Sequence, residues 1–216
     1  MQDLFDIHDE DGVWQEALGS GATWIHGFLV AHADEVMAEI DRVVAQAPYR
    51  HLSTPGGKRM SVAMSNCGAE GWVSDRAGYR YQTIDPLTAT VWPAMPARLR
   101  ALAQQAAGDG GYPGFEPTVC LINYYAPGAR MGLHQDRDEA NLTAPIVSFS
   151  LGLPATFIWG GWQRVGKTQR IMLRHGDAVV WGGEDRLRFH GVAPLKDGEH
   201  AVTGRARINL TFRQTK

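Results

Sequence analysis

The chain divides by the period of its apolar positions. In residues 33–46, ADEVMAEIDRVVAQ, the apolar Val36, Ile40, Val43 and Val44 recur at helical spacing. A helix is expected there, started by Asp34 or a neighbour and stopped by Pro48. Leu99, Leu102 and Ala106 mark a second helix over 93–107. From residue 118 the pattern shortens to strands. TVCLINYY (118–125), IVSFSLGL (146–153), ATFIW (155–159), RLRFHGVAPL (186–195) and RARINLTFRQ (205–214) read as single strands. RIMLRHGDAVVWGG (170–183) reads as a hairpin around Gly176-Asp177. Many short strands with Gly and Pro between them predict a sandwich or barrel. Between the helices, Pro55-Gly56-Gly57, Gly68, Gly71, Gly78 and Pro86 punctuate the chain too often for a helix. A stretch this long without a helix is usually functional, and short strands and loops forming a flap are expected.

The last strand is the most readable. Side chains alternate along a strand, so Arg207, Asn209, Thr211 and Arg213 share one face and Ile208, Leu210 and Phe212 the other. The apolar face has to pack, and the helices are its natural cover. The polar face then points into a cavity between sheets, where two arginines are costly unless an anion pairs with them. An exposed outer face is the alternative. Asn123 and Tyr125 repeat the pattern upstream, with one amide and one phenol on a common face able to bond carboxylate oxygens.

Composition narrows the class. Hydrophobic content of 44% and charged content of 20% in 216 residues suit one globular domain, or one domain with a lid. The net charge of −2 argues against non-specific coating of nucleic acid. A local patch remains: Lys58, Arg59, Arg76 and Arg80 are interleaved with Trp72, Tyr79 and Tyr81. That mixture suits a single strand or a displaced base, or equally a solvated loop with aromatics tucked into the core. Cys67 and Cys120 are too few for a disulfide framework or a zinc site and read as reduced thiols. The N-terminus, MQDLFDIHDEDG, is acidic without a signal pattern, and no apolar run spans a membrane. A cytoplasmic protein is expected.

The candidate chemistry lies in one of three H-x-D tripeptides. His32-Ala33-Asp34 opens a helical pattern, and His175-Gly176-Asp177 sits in a predicted turn. His134-Gln135-Asp136 instead follows a strand and the turn Ala126-Pro127-Gly128, with His190 downstream. Two imidazoles and a carboxylate can hold Fe(II) on one face and leave positions open. An arginine nearby can hold the far carboxylate of a bidentate co-substrate. Zinc is the rival metal, but a zinc hydrolase has no need of the arginine-bearing strand.

At these residues the chain resembles the AlkB family of dioxygenases. NYYAPGARMGLHQDRDE (123–139) is similar to the family's Asn-x-Tyr-x-Pro-Gly turn leading to His-x-Asp. RINLTFRQ (207–214) is similar to its Arg-x-Asn-x-x-x-Arg strand. TPGGKRMSVAMSNCG (54–68), with Trp72 and Tyr79, resembles its nucleotide-recognition lid. The resemblance covers nearly the whole chain. It implies an α+β, mainly β fold: a double-stranded β-helix (jelly roll) with supporting N-terminal helices and a lid. Residues 1–216 would form one catalytic domain, with an N-terminal segment and helix in 1–47, the lid in 48–90 and the core in 91–216.

The resemblance further implies Fe(II) on His134, Asp136 and His190, with dioxygen as oxidant. Asn123, Tyr125, Arg207, Asn209 and Arg213 would hold 2-oxoglutarate, Arg213 at its distal carboxylate and Arg207 near the C1 carboxylate and Asp136. The substrate would be an N-alkylated base such as 1-methyladenine or 3-methylcytosine in single-stranded or base-flipped DNA or RNA, demethylated with release of formaldehyde. That base would lie between Trp72 and His134, with Tyr79 and Thr54 towards the backbone and Met60, Met64, Asp138 and Arg164 around it. The carboxylate of Asp138 would favour cationic lesions. Lys58-Arg59 and Trp162 depart from the family pattern. A monomer is expected. The rivals are a hydroxylase of a protein side chain or small molecule, and a jelly-roll binding module without catalysis.

Overall fold

The computed structural model describes residues 12–216; the acidic segment before them, read above for targeting, lies outside the described residues. In chain order the elements are β1 (Trp14–Gly19), β2 (Ala22–His26), α1 (Ala33–Gln46), β3 (Arg50–Ser53), β4 (Arg59–Gly68), β5 (Gly71–Asp75), β6 (Gly78–Gln82) and α2 (Ala97–Asp109). They continue with β7 (Val119–Tyr125), β8 (Met131–His134), β9 (Ile146–Gly152), β10 (Ala155–Trp159), β11 (Gln169–Leu173), β12 (Ala178–Trp181), β13 (His190–Val192) and β14 (Arg207–Arg213). A major sheet runs β1-β2-β12-β9-β14-β7-β4-β3 and a minor sheet β11-β10-β13-β8, while β5 and β6 form a separate ribbon.

The alternation along β14 sets the layers. Ile208, Leu210 and Phe212 pack with Val36, Ile40 and Val43 of α1 and Leu99, Leu102 and Ala106 of α2 in one core. The helices therefore cover the outer face of the major sheet. A second core fills part of the space between the sheets, with Trp181 and Tyr125 from the major sheet and Phe157 and Val192 from the minor one. The polar side of β14 opens on the cavity between them. The mainly β architecture is that of a jelly roll supported on one face by helices.

Helix α1 occupies the expected span, although no side chain caps it and Val44 is only partly buried. Helix α2 begins at Ala97 rather than residue 93, since Pro93 and Pro96 precede it; proline is tolerated at a helix start but not inside one. The stretch around Gly176-Asp177 is not a hairpin. Strand β11 pairs with β10 in the minor sheet, and β12 pairs with β2 and β9 in the major sheet, so the turn passes from one sheet to the other. Asp177 fixes it by accepting from the backbone N–H groups of Gly27 (3.1 Å) and Arg174 (2.7 Å). Gly176 has φ +87°, and a Cβ there would stand 2.6 Å from Val30 Cγ2. The strand expected over 186–195 is confined to His190–Val192.

The region 48–90 is divided. Strand β4 pairs with β7 from Ala63↔Tyr124 to Gly68↔Val119, and β3 pairs with β4, so two strands of the expected flap are members of the major sheet. Met64, expected around the base, is accordingly a buried wall residue of the cavity, 3% exposed. The β5–β6 ribbon, the turn at Thr54–Gly57 and residues 83–90 stand apart from both larger sheets.

Candidate active site

The type II turn at Ala126–Ala129 positions the metal-ligand candidates. Ala129 N–H donates to Ala126 C=O at 2.9 Å, and Gly128 takes φ +83°. The chain re-enters as β8, which pairs with β13 so that His134 lies opposite His190. Asp136 follows two residues on, with the side chain of Gln135 donating to Leu187 C=O at 2.5 Å. One ligand atom from each of His134, Asp136 and His190 lies within 4.8 Å of the others. The other two H-x-D copies join no such group among the described residues.

Backbone carbonyls orient both imidazoles. Nδ1 of His134 lies 3.0 Å from Gly132 O and Nδ1 of His190 lies 3.0 Å from Arg188 O. If each Nδ1–H donates to its carbonyl, Nε2 keeps its lone pair for a metal. Those Nε2 atoms stand 3.7 and 3.8 Å from the Asp136 oxygens. Burial foremost, then His134, lowers the His190 pKa to about 4, so its ring stays neutral at physiological pH. Burial opposes ionisation of Asp136, but Arg213 above all, then both histidines and Arg186, hold it well below the ordinary carboxylate range. This donor set, a neutral nitrogen pair with a charged oxygen, fits Fe(II).

Arg213 stands in a different place from the one expected. Its Nη2 lies 2.9 Å from Asp136 Oδ1, and its Nε lies 3.2 Å from Glu139 Oε1. Glu139 also meets Arg186 Nη2 at 3.0 Å and accepts from Tyr81 O–H at 2.5 Å. Burial disfavours the Arg213 cation, but Asp136, Tyr81 and Glu139 outweigh it and raise its pKa. Arg213 thus belongs beside the metal carboxylate. Glu139 and Arg186 were not singled out in the sequence, and Tyr81 only as one aromatic of the basic patch, because no spacing ties the three together; a glutamate 5% exposed needs cations that only the fold brings to it.

Arg207 is the arginine left open. It is 2% exposed, donates to Ser150 Oγ at 3.0 Å and lies 5.0 Å over the Tyr125 ring. Its Nε and Nη1 find no partner among the described residues. Asn123 Oδ1 is likewise unpartnered, while the Asn123 amide donates to Asn209 Oδ1 at 3.2 Å. Asn209 is in turn fixed by bonds to Ser148 Oγ and Phe149 C=O, both 2.8 Å. A buried guanidinium whose Nε and Nη1 donors are unpartnered is a site that fits a carboxylate.

The triad, Arg207, Arg213, Asn123 and Asn209 open into one cavity of about 1070 Å³. Its rim includes Thr54, Met60, Trp72, Tyr79, Asp138 and Arg164. Trp72 and Tyr79 stack with centroids 5.5 Å apart and planes 13° from parallel. The indole N–H of Trp72 donates to Asp138 Oδ2 at 2.9 Å, so Asp138 orients the ring as well as charging the rim. Arg164 lies 5.5 Å over the ring of Phe189, another wall residue.

A jelly roll with this triad at the base of its cavity has the architecture of an iron(II)- and 2-oxoglutarate-dependent dioxygenase, and the 2OG-Fe(II) oxygenase superfamily model matches residues 21–213. The chain is 52% identical over 211 residues to the Alpha-ketoglutarate-dependent dioxygenase AlkB of Salmonella typhimurium and to that of Escherichia coli K12, covering 98% of each pair. It therefore belongs to the AlkB family. The solved structure of OsALKBH1 superposes with a TM-score of 0.82 at 26% identity, over 93% of this chain and 100% of that one. A Burkholderia pseudomallei oxidoreductase of the 2OG-Fe(II) oxygenase family, 18% identical with a TM-score of 0.57 over 89% of this chain and 84% of that one, shares the fold.

Proposed function

We propose that this enzyme oxidatively demethylates N-alkylated nucleobases, such as 1-methyladenine and 3-methylcytosine, in single-stranded or base-flipped DNA or RNA. One observation carries the reading: a single cavity joins the His134–Asp136–His190 triad to the stacked Trp72–Tyr79 pair at its rim. An aromatic pair at the mouth suits a planar base taken out of its stack. A relative consistent with this is the human Nucleic acid dioxygenase ALKBH1, 32% identical over 59% of this chain and 33% of that protein.

When bound, Fe(II) supplies, with dioxygen and 2-oxoglutarate, the oxidising power that hydroxylates the N-methyl group, yielding succinate, CO₂ and formaldehyde. The chain's residues bind, orient and shield. Arg207, with Asn123, Tyr125 and Asn209, takes the distal carboxylate of 2-oxoglutarate. Arg213 orients Asp136 and would be available to the C1 carboxylate. Trp72 and His134 sandwich the base, with Tyr79, Thr54, Met60, Met64 and Arg164 around it and the Asp138 carboxylate favouring cationic lesions in a low-dielectric site. The chain acts as one catalytic unit, monomeric and cytoplasmic, with the β5–β6 ribbon as the moving part of its lid. Among the described residues no helix is long and apolar enough to cross a membrane.

The test is iron- and 2-oxoglutarate-dependent formaldehyde release from an oligonucleotide carrying 1-methyladenine, beside its unmethylated twin. Equal succinate from both, with no formaldehyde from either, refutes the reading.

A further inference from the structure

We propose that Trp162 is a stacking platform for a second nucleobase, outside the cavity and next to its mouth; this rests on the nucleic-acid reading above. Residues 162–170, which run from the β10–β11 connection into the start of β11, are exposed throughout. They carry Arg164, Lys167 and Arg170 and no acidic residue. Trp162 is 57% exposed, yet its ring is fixed. The indole N–H donates to Glu184 C=O at 2.9 Å, and the Arg188 guanidinium lies 4.2 Å over the ring. Arg188 is itself held by Asp185, by Gly160 C=O at 3.0 Å and over Trp159 at 5.5 Å. The nearby Glu184 carboxylate accepts from Ser20 Oγ at 2.9 Å. An indole that is both exposed and oriented loses little entropy on gaining a planar partner.

The position suits a base rather than a peptide. Arg164, two residues on, and Arg170 both line the cavity, so the loop borders the mouth and offers cations to a backbone. Taking one base into the cavity leaves other bases unstacked: its neighbours on the same strand and its former partner on the opposite strand. Either presents the same flat apolar face to Trp162. The Arg188 side of the indole is covered, which leaves the opposite face for it.

The experiment compares Trp162→Ala, Trp162→Leu and Trp162→Phe with wild type. The probes are a methylated single strand, the same strand with abasic sites flanking the lesion, and duplexes with a normal or an abasic site opposite. Binding is read by anisotropy, turnover by formaldehyde and folding by thermal melting. Loss of a stacked base should weaken binding about 5- to 150-fold in the Ala and Leu variants, with Phe restoring most of it. Leu keeps Arg188 covered, so it separates stacking from packing. Turnover of a free methylated nucleoside should not change. The penalty should vanish on flanking-abasic strands if a neighbour stacks, and on opposite-abasic duplexes if the orphaned partner does. Unchanged binding in the Leu variant, or a penalty that persists on both abasic substrates, overturns the proposal. Wild type failing to release formaldehyde from any methylated strand would instead defeat the nucleic-acid reading beneath it.

Discussion

Replacing Arg207 by Met should make the protein without 2-oxoglutarate more stable and its binding of 2-oxoglutarate far weaker. Unliganded, the guanidinium is 2% exposed and rests on one hydrogen bond to Ser150 and the Tyr125 ring, with Nε and Nη1 unpartnered. Burial lowers its pKa, with Tyr125 only partly offsetting this, as an uncompensated cation requires. Exchanging a buried charge for an apolar side chain of similar volume is commonly neutral or stabilising by about 1–4 kcal/mol. The ligand reverses the sign. Truncating one side of a buried charge pair costs on the order of 2–5 kcal/mol, a loss of roughly 30- to several-thousand-fold in affinity. Calorimetric titration with 2-oxoglutarate in the presence of Mn(II), and unfolding with and without the ligand, measure both halves. An Arg207→Met protein that binds 2-oxoglutarate within about threefold of wild type refutes the assignment of the distal carboxylate to this residue. An unliganded variant less stable than wild type by several kcal/mol would mean that Arg207 is already satisfied in the empty site.

Three further outcomes are expected. Asp136→Ala should abolish iron binding and turnover, whereas Asp177→Ala should cost about 1–2 kcal/mol of stability through the lost bonds to Gly27 and Arg174 yet bind iron normally; normal turnover of Asp136→Ala at saturating Fe(II) would show that another triad is used. Trp72→Ala should slow oligonucleotide turnover by about 1–3 kcal/mol while uncoupled succinate formation persists; equal loss of both would make Trp72 a core residue. In the metal-free protein His190 is harder to protonate folded, near pH 4, than unfolded, so its contribution is complete above about pH 6.5 and is lost towards pH 4, up to about 3 kcal/mol; denaturant unfolding of wild type and His190→Gln across that window should diverge, and parallel pH profiles would contradict it.

Periodicity revealed what is local. It found α1, the buried face of α2 and the two faces of β14, because each depends only on where side chains point along one element. It chose the right H-x-D among three because only one sits beside a strand that brings a histidine opposite. Alternation placed Arg207 and Arg213 on one face but could not say which end lies by the metal; that is set by the segment carrying Asp136 and Glu139, which folds over Arg213. The turn at Asp177 looked like a hairpin because a sharp turn between apolar runs reads alike whether the runs pair or part between sheets. Strands β1 and β2 escaped notice, their WQEALG and ATWIH mixing polar and apolar residues without strict alternation. The Glu139–Arg186–Tyr81 cluster joins residues 47 and 58 positions apart and leaves no local trace.

That cluster also ties together two regions that would otherwise act separately. Tyr81 belongs to the β5–β6 ribbon, and the carboxylate that accepts its hydroxyl also holds the arginine paired with the metal's aspartate. Peeling the ribbon away therefore strips a buried glutamate of one donor and loosens the arginine on which Asp136 depends. Amide exchange in β6 should slow when a divalent metal binds, although no ribbon residue is a ligand, and Tyr81→Phe should uncouple the two. On the proposed lid role of the ribbon, lid and iron seat would then open and close as one cooperative unit.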